Sequence, residues 1–415
     1  MRLPLSAALL LGLSLLTNAQ NTTSFDIDFA KPQPVYDEQN GLGYDFGTSA
    51  LSKKNLSQMS FSVRVPDGNY KVSITFGSKQ YAGNTTVYAE SRRLLGVNIT
   101  TKKKEQRTLS WTVHKRSPEI EGGERVKTKP REKNYINWDD RLTLTFCGPA
   151  PAINRIVIEP DSKARTIFLC GNSTVVDQEY EPWASWGQMI GYWFDENVCI
   201  ANYAESGERT TSFMASKRLD KALSMCHEGD IFIVEFGHND EKDRGAGSGA
   251  WYNFSHNLKT FTDRIREKGC EVILATPTAR RAYKNGVLTD THGDYPAATR
   301  TVATREKTGL IELTQMTTDL YNAYGEENSK RFLVHYAAGT YPGQDKELAD
   351  NTHFNTFGAF EVSKCIVCGL KLLGSDVVSH LRSWWTDFDP KNPDDYTKFN
   401  IPAVQKFEIV KPDGN

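Results

Sequence analysis

Two periods of hydrophobic and polar positions divide the chain. Between residues 20 and 160, apolar and polar side chains alternate over short runs: Phe61-Ser62-Val63-Arg64-Val65, Tyr70-Lys71-Val72-Ser73-Ile74-Thr75-Phe76 and Leu142-Thr143-Leu144-Thr145-Phe146. Alternation of period two buries one face of a strand and wets the other. With turn signals such as Pro66-Asp67-Gly68-Asn69 between the runs, it predicts an antiparallel β-sandwich. Within this region, residues 101–134 are crowded with Lys, Arg and Glu and read as long solvated loops.

From 165 to 375 the pattern changes. Thr166–Cys170, Ile231–Val234 and Val272–Ala275 are continuous apolar runs, as expected for strands of a parallel sheet covered on both faces. Helical patterns lie between and after them. One carries Leu258, Phe261 and Ile265, one follows Tyr295-Pro296, and one runs through Ala359, Val362, Ile366, Leu370 and Leu373. Strands alternating with helices predict an α/β layered fold with its sites at the carboxyl ends of the strands. Residues 376–415, with Trp384, Trp385 and several prolines, read as an extended tail that packs back on the body.

Composition sharpens this picture. A chain of 415 residues with 39% hydrophobic and 24% charged side chains can build two or three cores and is not disordered. Lys and Arg number 50 against 51 Asp and Glu, so no bulk attraction to nucleic acid or an anionic membrane is expected. Residues 1–19 have Arg2, an apolar run from Leu5 to Leu16 and small residues at Thr17-Asn18-Ala19, the pattern of a secretory signal peptide. The run is too short for a membrane span. Export is therefore expected, to the medium or a periplasm. Seven cysteines, an odd count, leave at least one thiol unpaired. Cys365 and Cys368 form a CxxC, but within an amphipathic helix and without a second pair, so core packing is the reading.

Four polar motifs fall where strands end. Gly171-Asn172-Ser173-Thr174 follows the first strand of the second region and places a serine on a tight turn entering a helix. Alone, such a turn is commonly nothing more. Asp350-Asn351-Thr352-His353 sets a carboxylate and an imidazole three residues apart. There the acid can orient the base while the other ring nitrogen takes a proton. A helix cap by Asp350 or Asn351 is the competing reading. Gly237-His238-Asn239-Asp240 offers a side-chain amide as oxyanion donor, and Gly207 lets its backbone N–H approach a substrate closely.

In this order the four blocks resemble the SGNH (GDSL-type) hydrolase superfamily. Pro182-Trp183, Trp186-Gly187-Gln188, Phe236–Asp240, Pro277–Arg281, His292–Pro296 and Asp350–Phe354 are similar to the rhamnogalacturonan acetylesterase group, carbohydrate esterase family twelve. The resemblance implies a flavodoxin-like three-layer fold over 165–375, preceded at 20–160 by a galactose-binding-like β-sandwich. It implies Ser173 as nucleophile, His353 as general base and Asp350 as its orienting acid, with Ser173, Gly207 and Asn239 forming the oxyanion hole and no metal or cofactor. The expected activity is removal of acetyl groups from pectin. The alternatives are another SGNH esterase acting on xylan acetate or lipid, or a carbohydrate-binding protein without activity.

The chain departs from the family at Asn172, where Asp is usual; the exchange is nearly isosteric and adds a donor. Asn172-Ser173-Thr174 is also a glycosylation sequon, and a glycan there would block the site, which favours a bacterial source. Acidic pectin requires local cations. Arg280 and Arg281, just beyond a strand, are expected substrate contacts or else surface ion pairs. Trp183, Trp186 and Trp193 read as core more readily than as sugar platforms. His238 is expected to serve local structure, and neither His292 nor His335 has metal-ligand spacing.

Overall fold

The computed structural model describes residues 24–413. The signal-peptide expectation for 1–19 falls outside them. The short alternating runs form strands as the pattern demands. Along Gly68–Phe76, Tyr70, Val72, Ile74 and Phe76 are buried while Lys71, Ser73 and Thr75 stay partly open. One face of the N-terminal unit holds Phe25–Asp28, Ile153–Pro160, Gly68–Phe76 and Arg107–Lys115 in that order. The other holds Leu42–Asp45, Met59–Arg64, Arg141–Ala150, Gly83–Ala89 and Arg93–Thr101. Phe61, Val63, Ile74, Trp111, Leu144 and Phe146 interdigitate between them as a dry core.

The strand Arg107–Lys115 corrects the expectation of solvated loops over 101–134. The charged stretch before residue 107 makes its entry turn, but from Trp111 to Lys115 the strand is buried on both faces, with Trp111 and Val113 in the sandwich core. The strand pairs antiparallel with Gly68–Phe76 and, on its other edge, parallel with Val198–Asn202, through Thr112 opposite Cys199 and Val113 opposite Ile200. The sandwich and the α/β unit therefore share one nine-stranded sheet.

The α/β half of that sheet runs Val198–Asn202, Arg165–Gly171, Ile231–Glu235, Glu271–Ala275, Gly309–Ile311, all parallel. Its strands send alternate side chains to opposite faces. Ile167, Leu169, Ile231 and Ile233 meet Val362 and Ile366 of helix Thr356–Leu372. Phe168, Cys170, Phe232 and Val234 meet Phe261 and Ile265 of helix Ser255–Arg266 and Val302 of helix Tyr295–Glu306. Two covered faces explain why these strands are apolar throughout.

The tail returns to the body. Trp384 donates its Nε1 hydrogen to Tyr192 O at 3.1 Å, Trp385 stands edge-on to Trp193, and Tyr88 OH donates to Pro402 O at 2.8 Å. Beyond Val404 the chain crosses the carboxyl end of the sheet. The seven cysteines are free thiols. Cys365 is fully buried in helix Thr356–Leu372, and Cys368 donates to Phe388 O at 3.3 Å.

Candidate active site

The strand Arg165–Gly171 delivers the chain to Ser173. Gly171 is required there, because a Cβ would come within 2.4 Å of Val175 Cγ2 and 3.0 Å of Glu235 O. The expected helix does not follow. Instead Asn172 makes a single turn: its Oδ1 accepts from Thr174 N at 3.0 Å and Thr174 Oγ1 at 2.9 Å, and its carbonyl accepts from Val175 N and Val176 N. Asn172 is fully buried, and its Nδ2 has no partner among the described residues. The turn, rather than a helix dipole, sets the direction of the Ser173 N–H.

Ser173 Oγ lies 2.9 Å from His353 Nε2, and His353 Nδ1 lies 2.9 Å from Asp350 Oδ2. Both members of the pair sit on strand Leu348–Phe354. Asp350 Oδ1 accepts from the backbone N–H of Thr352 and of His353, at 2.7 and 2.9 Å. Burial alone would raise the Asp350 carboxyl; the hydrogen bond and charge of His353 and these backbone donors hold it well below the usual carboxylate range. Helix capping by Asp350 or Asn351 is ruled out, because Asn355 caps helix Thr356–Leu372 by accepting from Gly358 N.

Gly207 and Asn239 arrive from the two neighbouring strands. Gly207 has φ of +78°, in the left-handed region. Its loop is tied to the serine turn by Glu205 N donating to Gly171 O at 3.2 Å. Asn239 Nδ2 donates to Glu208 O at 3.0 Å, and its Oδ1 accepts from Lys242 Nζ at 3.2 Å, which fixes the amide's orientation. Asp240 braces both loops, accepting from Thr210 N, Thr210 Oγ1 and Gly237 N. Burial pushes its carboxyl up to about 6 against those bonds. Ser173, Gly207, Asn239, Asp350 and His353 thus converge, able to hold a carbonyl beside a hydroxyl and a base.

The two arginines singled out in the sequence both have polar partners within the protein. Arg280 lies 2.5 Å from Glu241 Oε1 and donates to His238 O and Thr291 Oγ1. Arg281 donates to Ser329 Oγ, Asn351 Oδ1 and Glu326 O, and its N–H to Asn351 O, so it buttresses the turn leading from Asp350. His238 is buried and packs edge-on to His292 at 4.6 Å. Burial, with His292, Arg280 and His353 nearby, drives its imidazole well below the ordinary value, so it stays neutral. His292 bridges Glu241 and Thr278 O, and His335 meets Asn351. Trp186 and Trp193 are core. Trp183 is buried too, but its ring stands edge-on to His353 at 5.8 Å, a role its helical spacing did not signal. Sequence reasoning also missed Lys129 and Arg131, which reach the cleft from the N-terminal unit: Arg131 Nη2 is 2.5 Å from Glu205 Oε1. Nothing local distinguishes them from the surrounding charged residues. Among the described residues, no group of three His, Cys, Asp or Glu side chains is placed to share a metal ion, and no helix is long and apolar enough to cross a membrane.

A layered α/β fold that gathers a serine, a glycine, an asparagine and a histidine at the carboxyl ends of a parallel sheet defines an SGNH hydrolase. The profile of the GDSL-like Lipase/Acylhydrolase family matches residues 169–359. The chain is 38% identical over 220 residues to rhamnogalacturonan acetylesterase RhgT of Bacillus subtilis (strain 168), covering 52% of this chain and 94% of that one. It is 25% identical to a rhamnogalacturonan acetylesterase of Emericella nidulans, over 57% of this chain and 97% of the relative. The solved structure of the YxiM protein of Bacillus subtilis aligns with a TM-score of 0.49 at 23% identity, covering 85% of this chain and 99% of that one. The chain belongs to the GDSL-like lipase/acylhydrolase family and is an esterase.

Proposed function

We propose that the protein is an exported carbohydrate esterase that removes acetyl groups from rhamnogalacturonan-type pectin by a Ser173–His353–Asp350 mechanism. The observation that carries this reading is the unbroken chain from Ser173 Oγ to His353 Nε2 and from His353 Nδ1 to Asp350 Oδ2, each link 2.9 Å. The likeness to rhamnogalacturonan acetylesterases supports the substrate, and the leader-like residues 1–19 support export.

Asp350, ionised, accepts the Nδ1 hydrogen and leaves Nε2 free to take the Ser173 proton. The serine oxygen attacks the acetyl carbonyl, and the tetrahedral oxyanion is held by the N–H groups of Ser173 and Gly207 and the Asn239 amide. Each such donor is worth about 10²–10³ in rate. His353 returns its proton to the departing sugar oxygen, then activates water, and the acetyl–serine ester is hydrolysed to acetate. Arg131 lines the adjoining cavity with Trp183 and Ser206, and Lys129 Nζ lies 3.2 Å from where a Gly207 Cβ would stand; the two supply cations for an anionic polymer.

The test is acetate release from acetylated rhamnogalacturonan, other acetylated pectins and acetylated xylan by the wild type and by Ser173→Ala. Preference for the rhamnogalacturonan, abolished in the variant, is expected. Release by the variant at the wild-type rate rejects the mechanism, and a preference for xylan rejects the substrate.

A further inference from the structure

The cleft beside Ser173 has a wall that the catalytic steps leave unused. Residues 404–413 cross its mouth as a strap. Glu408 N donates to Glu181 O at 2.9 Å, and Trp183 Nε1 donates to Glu408 O at 3.0 Å. Lys411 Nζ is 3.3 Å from Asp350 Oδ2, and Asp413 Oδ2 is 2.5 Å from Arg131 Nη1. Asp413 lies directly over the oxyanion glycine: a Cβ on Gly207 would come within 3.0 Å of Asp413 Cβ and 3.2 Å of Lys129 Nζ. Strap and body enclose a cavity of about 170 Å3 lined by Arg131, Tyr135, Gln178, Trp183, Ser206 and Lys411 among others.

Arg131 is held in a way that leaves one edge for a ligand. Its Nε and Nη2 lie 3.2 and 2.5 Å from Glu205 Oε1, and Nη2 also donates to Ser206 O at 2.9 Å. Those contacts fix the guanidinium plane, and Nη1 faces the cleft with Asp413 as its partner. Lys129 donates to Ser206 O and is 3.3 Å from Glu208 Oε1. Around them Lys129, Arg131 and Arg218 meet Glu132, Glu205 and Glu208. Burial and the neighbouring Glu132 push the Glu205 carboxyl upward against Arg131, Arg218 and Lys129, and every proton it keeps leaves the cluster richer in positive charge. Asp413 is the carboxylate that answers it. Its side chain is 61% exposed against 26% for Arg131, the geometry of a weakly held surface pair that an incoming anion displaces.

We propose that Arg131, backed by Lys129, is the subsite for the carboxylate of a uronic-acid residue at the scissile acetyl group, and that Asp413 occupies it as an intramolecular stand-in. The subsite rests on the reading of an acidic polysaccharide substrate. Asp413 sets the distance: its carboxylate meets Arg131 Nη1 while its Cβ lies 3.0 Å from where a Gly207 Cβ would stand, so a carboxylate on Nη1 sits beside Gly207, as groups on one sugar or on adjacent sugars would.

The experiment uses the full chain with p-nitrophenyl acetate as reporter and de-esterified polygalacturonate as competing anion. Competitive inhibition of the wild type is expected, with a Ki that rises about tenfold in Arg131→Gln for the loss of one charge-assisted contact. Arg131→Lys, which keeps the charge but not the fork, is expected between the two. Asp413→Asn, which weakens the stand-in at an exposed position, is expected to lower Ki severalfold. No inhibition of the wild type, or an unchanged Ki in Arg131→Gln, overturns the subsite. If Arg131→Gln does not fold, an unchanged Ki in Asp413→Asn overturns it. The substrate reading fails separately: inhibition that depends on Arg131, with acetate released only from acetylated xylan, rejects pectin as substrate and keeps the carboxylate subsite.

Discussion

Ser173 depends on an imidazole that holds one orientation, and three contacts hold it. Asp350 accepts from Nδ1, the ring of Trp183 stands edge-on, and the His353 N–H is tied to Asp350 Oδ1. Asp350→Asn keeps the shape but offers an amide where the tautomer needs an acceptor, so kcat for acetate release is expected to fall about 10³–10⁴-fold with the protein still folded. The same residue gives a pH signature. Its folded carboxyl is held below the ordinary 3.8, so the unfolded chain binds the proton first as pH falls. The stability it contributes is fully present above 3.8 and is lost as pH drops through the lower folded value. The gap in melting temperature between wild type and Asp350→Asn, measured from pH 6 to pH 3, is expected to narrow below pH 4 without closing, because the folded value lies below that range. A constant gap would mean that the carboxylate charge contributes nothing. On the proposed mechanism Asn239→Ala removes one oxyanion donor, and it is expected to reduce kcat about 10²–10³-fold with a small change in KM.

At the scale of elements, the strand bearing His353 runs straight into helix Thr356–Leu372, and Asn355 joins them. Its Oδ1 accepts from Gly358 N at 3.0 Å, while its Nδ2 donates to Arg331 O and Leu333 O, each at 2.9 Å. Asn355→Ala loses the cap and strands two carbonyls, and is expected to cost about 2 kcal/mol in urea unfolding. Asn355→Asp restores the acceptor alone and is expected to recover only part. That junction was not legible in the sequence, where Asp350 and Asn351 were equally good caps; which of three neighbouring polar residues turns inward depends on the pairing with strand Leu333–Tyr336. Tyr70–Phe76 was legible because it has one wet and one dry face, and Leu142–Phe146 because its polar positions are threonines, which alternate with the apolar ones even though Thr143 and Thr145 are themselves buried. Arg107–Lys115 was hidden by the charged turn before it, although Leu109, Trp111 and Val113 carry the same alternation. Ser173 and His353 were legible only through the order of their motifs, which resembles that of the SGNH hydrolases; the same chemistry tolerates other orders along a chain. The commitment of Arg280 to Glu241 and the arrival of Arg131 at the cleft are tertiary facts that no local spacing encodes.

For the whole molecule, the shared sheet means that the two halves are not beads on a string, and buried charge reinforces the seam. Arg93 of the N-terminal unit lies 2.6 Å from Asp177, with side chains 7% and 0% exposed. Asp177 also accepts from Asn202 Nδ2 at 2.7 Å, which ties the segment after Ser173 to the loop that leads to Gly207. Arg92 and Glu181 make a second buried pair beside it. Removing one member of such a pair leaves an uncompensated charge in the interior, at a cost of about 3–5 kcal/mol. Arg93→Ala is therefore expected to lower stability by that amount while the full chain still melts in one cooperative transition, since a strand pair and its ion pairs cannot open in one unit without exposing the other. Acetate release is expected to fall with it, because Asp177 no longer holds both catalytic loops. Arg93→Ala combined with Asp177→Asn, which removes both charges and keeps an oxygen for Asn202, is expected to recover more than half of the lost stability. Calorimetry decides it: two separate transitions, or a double variant no better than the single, would mean that the seam carries no energetic link between the sandwich and the esterase.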